Sequence, residues 1–225
     1  MNKIYKIYKL LYKKYGAQGW WPIIGYGYHK QDYSFPRDEN EVFEVCLGSI
    51  LTQNTTFTSV VKSLNNLYAK NAISASAILL MDINELKEAI RPSGYFNQKA
   101  RYILEFTKFY TTLYGATPTR EALLDVVGIG EETADSMLLY GYNQREFKVD
   151  AYTKRILLAL GIIEQKNSYC EIKKLMESSL KECINDEKEL LKVYQEFHAL
   201  LVEHGKKFYS KKPYGVGCFL KEHLR

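Results

Sequence analysis

Asp150 stands alone in FKVDAYTKRIL, directly ahead of a segment with helical periodicity, and about twenty residues before it the chain reads VVGIGEETA. An isolated carboxylate in that place has two chemistries open to it. It can cap the helix that starts at Ala151. It can also stabilise positive charge developing in a transition state while orienting or deprotonating an attacking water; the two roles can coexist. In VVGIG, Gly128 and Gly130 bracket Ile129, so the turn is free to take positive φ and to offer backbone N–H groups where a side chain would intrude. The following EETADSMLL predicts a helix whose N-terminus favours an anion. Val127, Gly128, Ile129, Gly130 and Thr133 thus read as a clamp for phosphate that is blind to base sequence. A plain helix-helix connection uses the same letters.

Four segments in order carry a family resemblance: GSILTQNTT (48–56), SGYFNQKA (93–100), LLDVVGIGEETA and FKVDAYTKRIL. Over most of its length the chain resembles the helix-hairpin-helix DNA glycosylases of the endonuclease III superfamily. The resemblance implies that Asp150 is the catalytic carboxylate and that the partner is double-stranded DNA containing a damaged base. It also makes Gln53 the wedge that fills the gap left by a flipped base, at a cost in unstacking of a few kcal/mol. If LTQNTTFTSVV is helical, Gln53 and Phe57 project from one face, which makes Phe57 a pocket wall or an ordinary core residue.

GWWPI holds the two tryptophans of the chain, Trp20 and Trp21. With LTQNT, it makes the chain similar to the 3-methyladenine DNA glycosylase branch typified by the Helicobacter-type enzyme. An alkylated purine is often cationic, and such a base stacks strongly between electron-rich rings. The plainer alternative for WWP is a core anchor fastening a terminal arm.

Two departures from the superfamily pattern shape the expected activity. Bifunctional members carry a lysine two residues after the second hairpin glycine, where this chain has Glu132. Imine formation requires an amine, so a monofunctional glycosylase without lyase activity is expected. Glu132 itself reads either as a pocket residue or as a first-turn complement to the helix dipole. The segment HGKKFYSKKPYGVGC looks like the four-cysteine loop of iron-sulfur relatives with only Cys218 left, and Cys46, Cys170 and Cys183 match no ligand spacing. No iron-sulfur cluster and no required cofactor are expected. Hairpins of the family often hold a monovalent cation, here through the backbone carbonyls of Leu124, Val126 and Ile129.

Composition agrees without deciding anything. At 225 residues, 31 Lys plus Arg against 26 Asp plus Glu give a net charge of +5, a basic excess compatible with DNA binding. Lys206, Lys207, Lys211 and Lys212 cluster near the C-terminus, with Lys206 and Lys211 taken as backbone contacts. No run approaches the roughly twenty apolar residues of a membrane span, and MNKIYKIYKLLYKKYG lacks the core of a signal peptide. A cytoplasmic, nucleoid-associated prokaryotic monomer without membrane contact is expected.

Apolar residues recur at helical period in nearly every segment, as at Phe43, Leu47, Ile50 and Leu51, so the fold class is all-α. By resemblance it is a two-domain helix-hairpin-helix glycosylase fold. A central six-helix domain over 38–140 would include the hairpin, and 1–37 plus 141–225 would form a second helical domain. The active cleft would lie between them, with the hairpin on one wall and Asp150 on the other. The leading function is excision of alkylated purines, chiefly 3-methyladenine. The alternatives are an endonuclease III-like glycosylase for oxidised or mismatched bases and a non-catalytic DNA-binding module, which would have no need of Asp150.

Overall fold

The computed structural model describes residues 2–224. Among them the helices run in order α1 (Lys3–Tyr15), α2 (Glu39–Leu51), α3 (Phe57–Ala69), α4 (Ala75–Leu80), α5 (Ile83–Ile90) and α6 (Phe96–Thr111). Then follow α7 (Arg120–Leu124), α8 (Glu131–Ser136), α9 (Ala151–Ala159), α10 (Tyr169–Lys181), α11 (Glu187–Phe208) and α12 (Leu220–His223). A 3-10 turn over Arg91–Ser93 precedes α6, and α8 runs on into a π-helical segment, Met137–Gly141. The one strand-like pairing among the described residues is the antiparallel bridge between Ile23 and Gly27. No helix among them is long and apolar enough to cross a membrane. The fold is all-α, as the periodicity required.

The helix starts follow local chemistry. Asp38 caps α2 by accepting from the N–H groups of Asn40 and Glu41, Thr56 caps α3 through Ser59, and Ser168 forms a reciprocal capping box with Glu171 at α10. Each satisfies donors that a helix N-terminus leaves without intrahelical partners.

The chain divides into two compact units. One comprises Trp21–Tyr28 and Ser34–Asn143; the other takes the chain up to Trp20, His29–Tyr33, and the chain from Gln144 onward. The N-terminal segment therefore does not go as one block with the C-terminal half, because Trp21 and Ile23 are core residues of the helical unit. In that unit α2 is the axis, with Phe43, Cys46, Leu47, Ile50 and Leu51 buried, and it packs against α3, α6, α8 and the π segment. Cys46 is a small buried hydrophobe. In the other unit α1 and α9 pack on the long α11, with Ile4, Ile7, Tyr8 and Leu11 of α1 facing inward.

One expectation fails locally. LTQNTTFTSVV is not a continuous helix: α2 ends at Leu51, α3 starts at Phe57, and 52–56 form a turn in which Asn54 takes φ +51°. The side chain of Thr56 caps the new helix instead of continuing the old one, so Gln53 and Phe57 do not share a helix face.

Candidate active site

Asp150 is the N-cap of α9. Its Oδ1 accepts from the Thr153 N–H at 2.7 Å and from the Thr153 hydroxyl at 2.9 Å. Its Oδ2 lies 3.7 Å from Nε2 of His198, which is buried on α11, and the Asp150 side chain is 12% exposed. Burial pushes this carboxyl toward protonation. The nearby His198, the Lys148 ammonium and the Thr153 N–H outweigh that effect and hold it below the usual carboxylate range. His198 is itself pushed down by burial, with Lys148 adding to that effect and Asp150 opposing it. The surroundings thus favour an ionised Asp150 carboxylate. Capping and charge stabilisation coexist at Asp150, since one oxygen serves the helix and the other is turned toward His198.

The tryptophan pair does not act as one object. Trp20 belongs to the unit of Asp150, is half-buried, and meets His198 edge to face at 6.4 Å between centroids. Lys206 Nζ lies 5.8 Å from its ring centroid. Trp21 belongs to the helical unit and is 2% exposed. It packs on Phe57 at 5.5 Å and on Tyr140 of the π segment at 5.7 Å. A Cβ at Gly48 would stand 3.0 Å from its indole. The expected sandwich of both tryptophans is therefore corrected. Trp21 anchors the core and supports Phe57, while Trp20 alone keeps an accessible ring.

The hairpin is fixed by backbone geometry. Ile129 N–H donates to Val126 O at 3.0 Å. Gly128 takes φ +91°, and a Cβ there would meet the Tyr102 ring at 2.2 Å, so only glycine fits. Gly130 departs from the expected role: it is the extended N-cap of α8, with φ −97°. Open space lies where its Cβ would be. Val127 is exposed at the tip, whereas the Ile129 side chain is buried in the core and, with its N–H committed to Val126, Ile129 offers only its carbonyl. Glu132 is exposed on the first turn of α8.

Gln53 is docked on this hairpin. Its Nε2 donates to Gly128 O at 2.9 Å and to the Thr133 hydroxyl at 3.1 Å. Thr133 is buried, so its hydroxyl meets Gln53 behind the hairpin. Asn54, the next residue, is exposed and left-handed. Lys99 explains the SGYFNQKA segment: buried on α6, its Nζ donates to Leu51 O at 2.7 Å and Ser93 O at 2.8 Å, pinning the end of α2 from which Gln53 emerges. Burial draws Lys99 down to about 8. Reading the sequence missed His198, Lys148 and Asn54. Lys148 was visible two residues before Asp150, whereas His198 carries no local signal.

An iron-sulfur cluster does not fit the residues present. Cys170 and Cys183 are exposed, Cys46 lies in the core of the helical unit, and Cys218 Sγ is held by His204 and Tyr209. Among the described residues no group of three or more His, Cys, Asp or Glu converges as a metal would require.

The family model of the HhH-GPD superfamily base excision DNA repair proteins matches residues 47–182. The chain is 40% identical over 230 aligned residues to a protein of Methanocaldococcus jannaschii that carries the provisional name DNA repair glycosylase, covering 97% of this chain and 94% of the other. It is 30% identical over 191 residues to the endonuclease III of Sulfolobus acidocaldarius, covering 82% of each. Among solved structures, the H. pylori 3-methyladenine DNA glycosylase MagIII, bound to 1,N6-ethenoadenine, superposes with a TM-score of 0.74 at 30% identity, covering 92% of this chain and 98% of that one. An endonuclease III–DNA complex superposes at 0.75 with 19% identity, covering 100% and 95%, and shares the fold.

Proposed function

The chain belongs to the HhH-GPD superfamily of base excision DNA repair proteins, and on that premise we propose that it is a monofunctional DNA glycosylase excising alkylated purines, chiefly 3-methyladenine. The observation that carries the reading is Asp150, a nearly buried carboxylate kept ionised by Thr153, His198 and Lys148. Cleavage of the N-glycosidic bond builds oxocarbenium character on the deoxyribose, and a fixed negative charge in a site sheltered from water stabilises it. Because its pKa is depressed, Asp150 is a weak base. Its main work is charge stabilisation and orientation of water, with the proton leaving the water only as the new C–O bond forms.

Trp20 is the ring offered to the base. A cationic purine gains cation–π attraction at Trp20 beyond dispersion, which favours alkylated bases; the 30% identity to MagIII supports the same choice. The hairpin backbone at Val127, Gly128, Ile129 and Gly130 holds a phosphate, and Lys206 and Lys211 add basic contacts. A monovalent cation on the carbonyls of Leu124, Val126 and Ile129 would add a positive charge facing that phosphate. Gln53 braces the hairpin from behind, and Asn54 is the residue presented to the duplex. Exchange of the Gln53 hydrogen bonds on binding would restore the wedge role to Gln53. Asn54→Ala is expected to slow base flipping, read by 2-aminopurine fluorescence, more than Gln53→Ala does; the reverse order would return the wedge to Gln53.

Glu132 provides no amine for a lyase step. A duplex containing 3-methyladenine, incubated with the protein and divided, tests the whole reading. Strand breaks only in the half treated with hot alkali are the expected result. Breaks without alkali would reveal a lyase amine. No breaks in either half, with cleavage of a duplex carrying an oxidised base, would favour the second reading suggested by the Sulfolobus endonuclease III.

A further inference from the structure

The helical unit holds a cavity of about 440 Å³ whose lining includes none of the residues assigned to excision, a volume in the range of small-molecule sites. Its walls come from the turn 23–27, the start of α2, and the link from α3 to α4. The turn is closed by Gly27 N–H donating to Ile23 O at 2.8 Å and by Tyr26 N–H donating to the same oxygen at 3.0 Å. It lays the Ile24 N–H on Oε1 of Glu44 at 2.8 Å.

Glu44 is the most deeply buried charged group of the lining, 4% exposed. Oε1 is taken by Ile24, and among the described residues Oε2 has no hydrogen-bond partner. Glu41, by contrast, is committed: it accepts the Arg37 backbone N–H at 2.6 Å and Arg37 Nη2 at 2.6 Å. The same guanidinium lies over the Tyr26 and Phe35 rings, 4.1 and 4.3 Å from their centroids. Asp38, at the exposed rim, gives Oδ1 to the N–H groups of Asn40 and Glu41 and keeps Oδ2 open among the described residues. The cavity therefore offers two open carboxylate oxygens, one deep and one at the mouth, within a chain of net charge +5. Six residues at the start of a helix separate Asp38 from Glu44, about 9 Å along the axis. Asp38, Glu41 and Glu44 do not converge as a metal ion would require, and the flanks at Ile24 and Ile73 are apolar.

We propose that this cavity binds a short linear diamine or polyamine, with one ammonium on Oε2 of Glu44, another on Asp38, and the methylene chain along Ile24 and Ile73. Two anions held apart select a cation whose charges are also held apart, and apolar flanks favour burial of the CH₂ groups between them. The inference is independent of the excision reading, since it needs neither DNA nor a lesion. Burial, with the Glu41 charge adding to it, pushes Glu44 up to about 7, so an ammonium arriving at Oε2 displaces a proton and binding strengthens as pH rises through that value. The other titratable groups that face the cavity are Arg37, Asp38 and Glu41 at the start of α2, Tyr26 on the turn and Tyr68 on α3, with no histidine or lysine among them.

Isothermal titration of the DNA-free protein with 1,4-diaminobutane tests the site. One diamine per chain is expected, bound about tenfold more tightly at pH 8 than at pH 6, because Glu44 is mostly protonated at the lower value. At pH 7, buffers of different ionisation enthalpy should show release of about half a proton per diamine. Glu44→Gln keeps an acceptor for Ile24; it should weaken binding at pH 8 by about tenfold or more and abolish both the pH dependence and the proton release. Asp38→Asn keeps a good helix cap while removing the rim charge. It should weaken binding by about two- to fivefold, and it tests the site even if Glu44→Gln fails to fold. Butylamine, with a single ammonium, should bind more weakly than the diamine, and magnesium at matched ionic strength should not displace it. No binding of the diamine at millimolar concentration, equal binding of butylamine, displacement by magnesium, or tighter binding of a neutral planar solute such as adenine would overturn the proposal. So would a diamine affinity indifferent to pH and to both substitutions.

Discussion

Glu44 and Asp150 are both carboxylates withdrawn from water, and their surroundings push them in opposite directions. Glu44, on α2 of the helical unit, is 4% exposed and accepts the Ile24 N–H at 2.8 Å. Burial, with the Glu41 charge adding to it, outweighs that single bond and pushes Glu44 up to about 7. Asp150 suffers the same desolvation, yet a histidine, a lysine and a helix N–H reverse the outcome. Burial therefore sets the cost of ionisation, and the charge and number of donors decide whether it is met. A protein that needs a permanent anion beside a developing cation has to assemble those donors, and of these two regions the one around Asp150 does so.

The sharpest way to break the comparison is Asp150→Asn. Removing the anion should lower single-turnover excision by about 10²- to 10⁴-fold, with duplex affinity kept. Comparable excision by the variant would strip Asp150 of its role and leave the two carboxylates functionally alike.

Glu44→Gln comes next in size and acts on stability. Folding raises the Glu44 pKa from 4.5 to about 7, so the folded protein keeps a proton that the unfolded chain releases. Stability is then fully present below pH 4.5 and falls as pH climbs to about 7, by at most roughly 3 kcal/mol. Asp150 has the opposite sign: its contribution is present above its unfolded value of 3.8 and is lost only as pH falls below it. Denaturant titrations at several pH values should show the decline in the parent and a flatter profile in Glu44→Gln. Identical profiles would mean that water reaches Glu44 after all.

The smallest effect sharpens the comparison by taking one support from Asp150. Lys148→Met should raise the Asp150 pKa and move the acid limb of excision to higher pH by up to about one unit. The carboxylate stays ionised at pH 5 and above, so the rate between pH 5 and pH 8 should hardly change. An unaltered pH profile would leave Thr153 and His198 as the whole support.

How far the site could be read in advance follows the range of the forces involved. Gly128 was legible because a positive φ packed against a ring admits only glycine. The Asp150 cap was legible because an N-cap is set within three residues. Gln53 was placed in the right region but given the wrong geometry, since nothing local announces that the chain leaves the helix at Thr52 and restarts under Thr56. Trp20 and Trp21 are neighbours in sequence and part company in the fold, each ring following its own core.

Backbone preferences and periodicity over a few residues were enough to set the helical fold class, the caps, the hairpin bend and the position of the one carboxylate ahead of α9. They could not place His198 behind Asp150, dock Gln53 on the hairpin, or join His204 to Cys218; those arrangements came from the packed fold. The reason is physical: desolvation, Coulomb interaction and hydrogen bonding act over a few ångströms of space, and separation along the chain does not fix that distance.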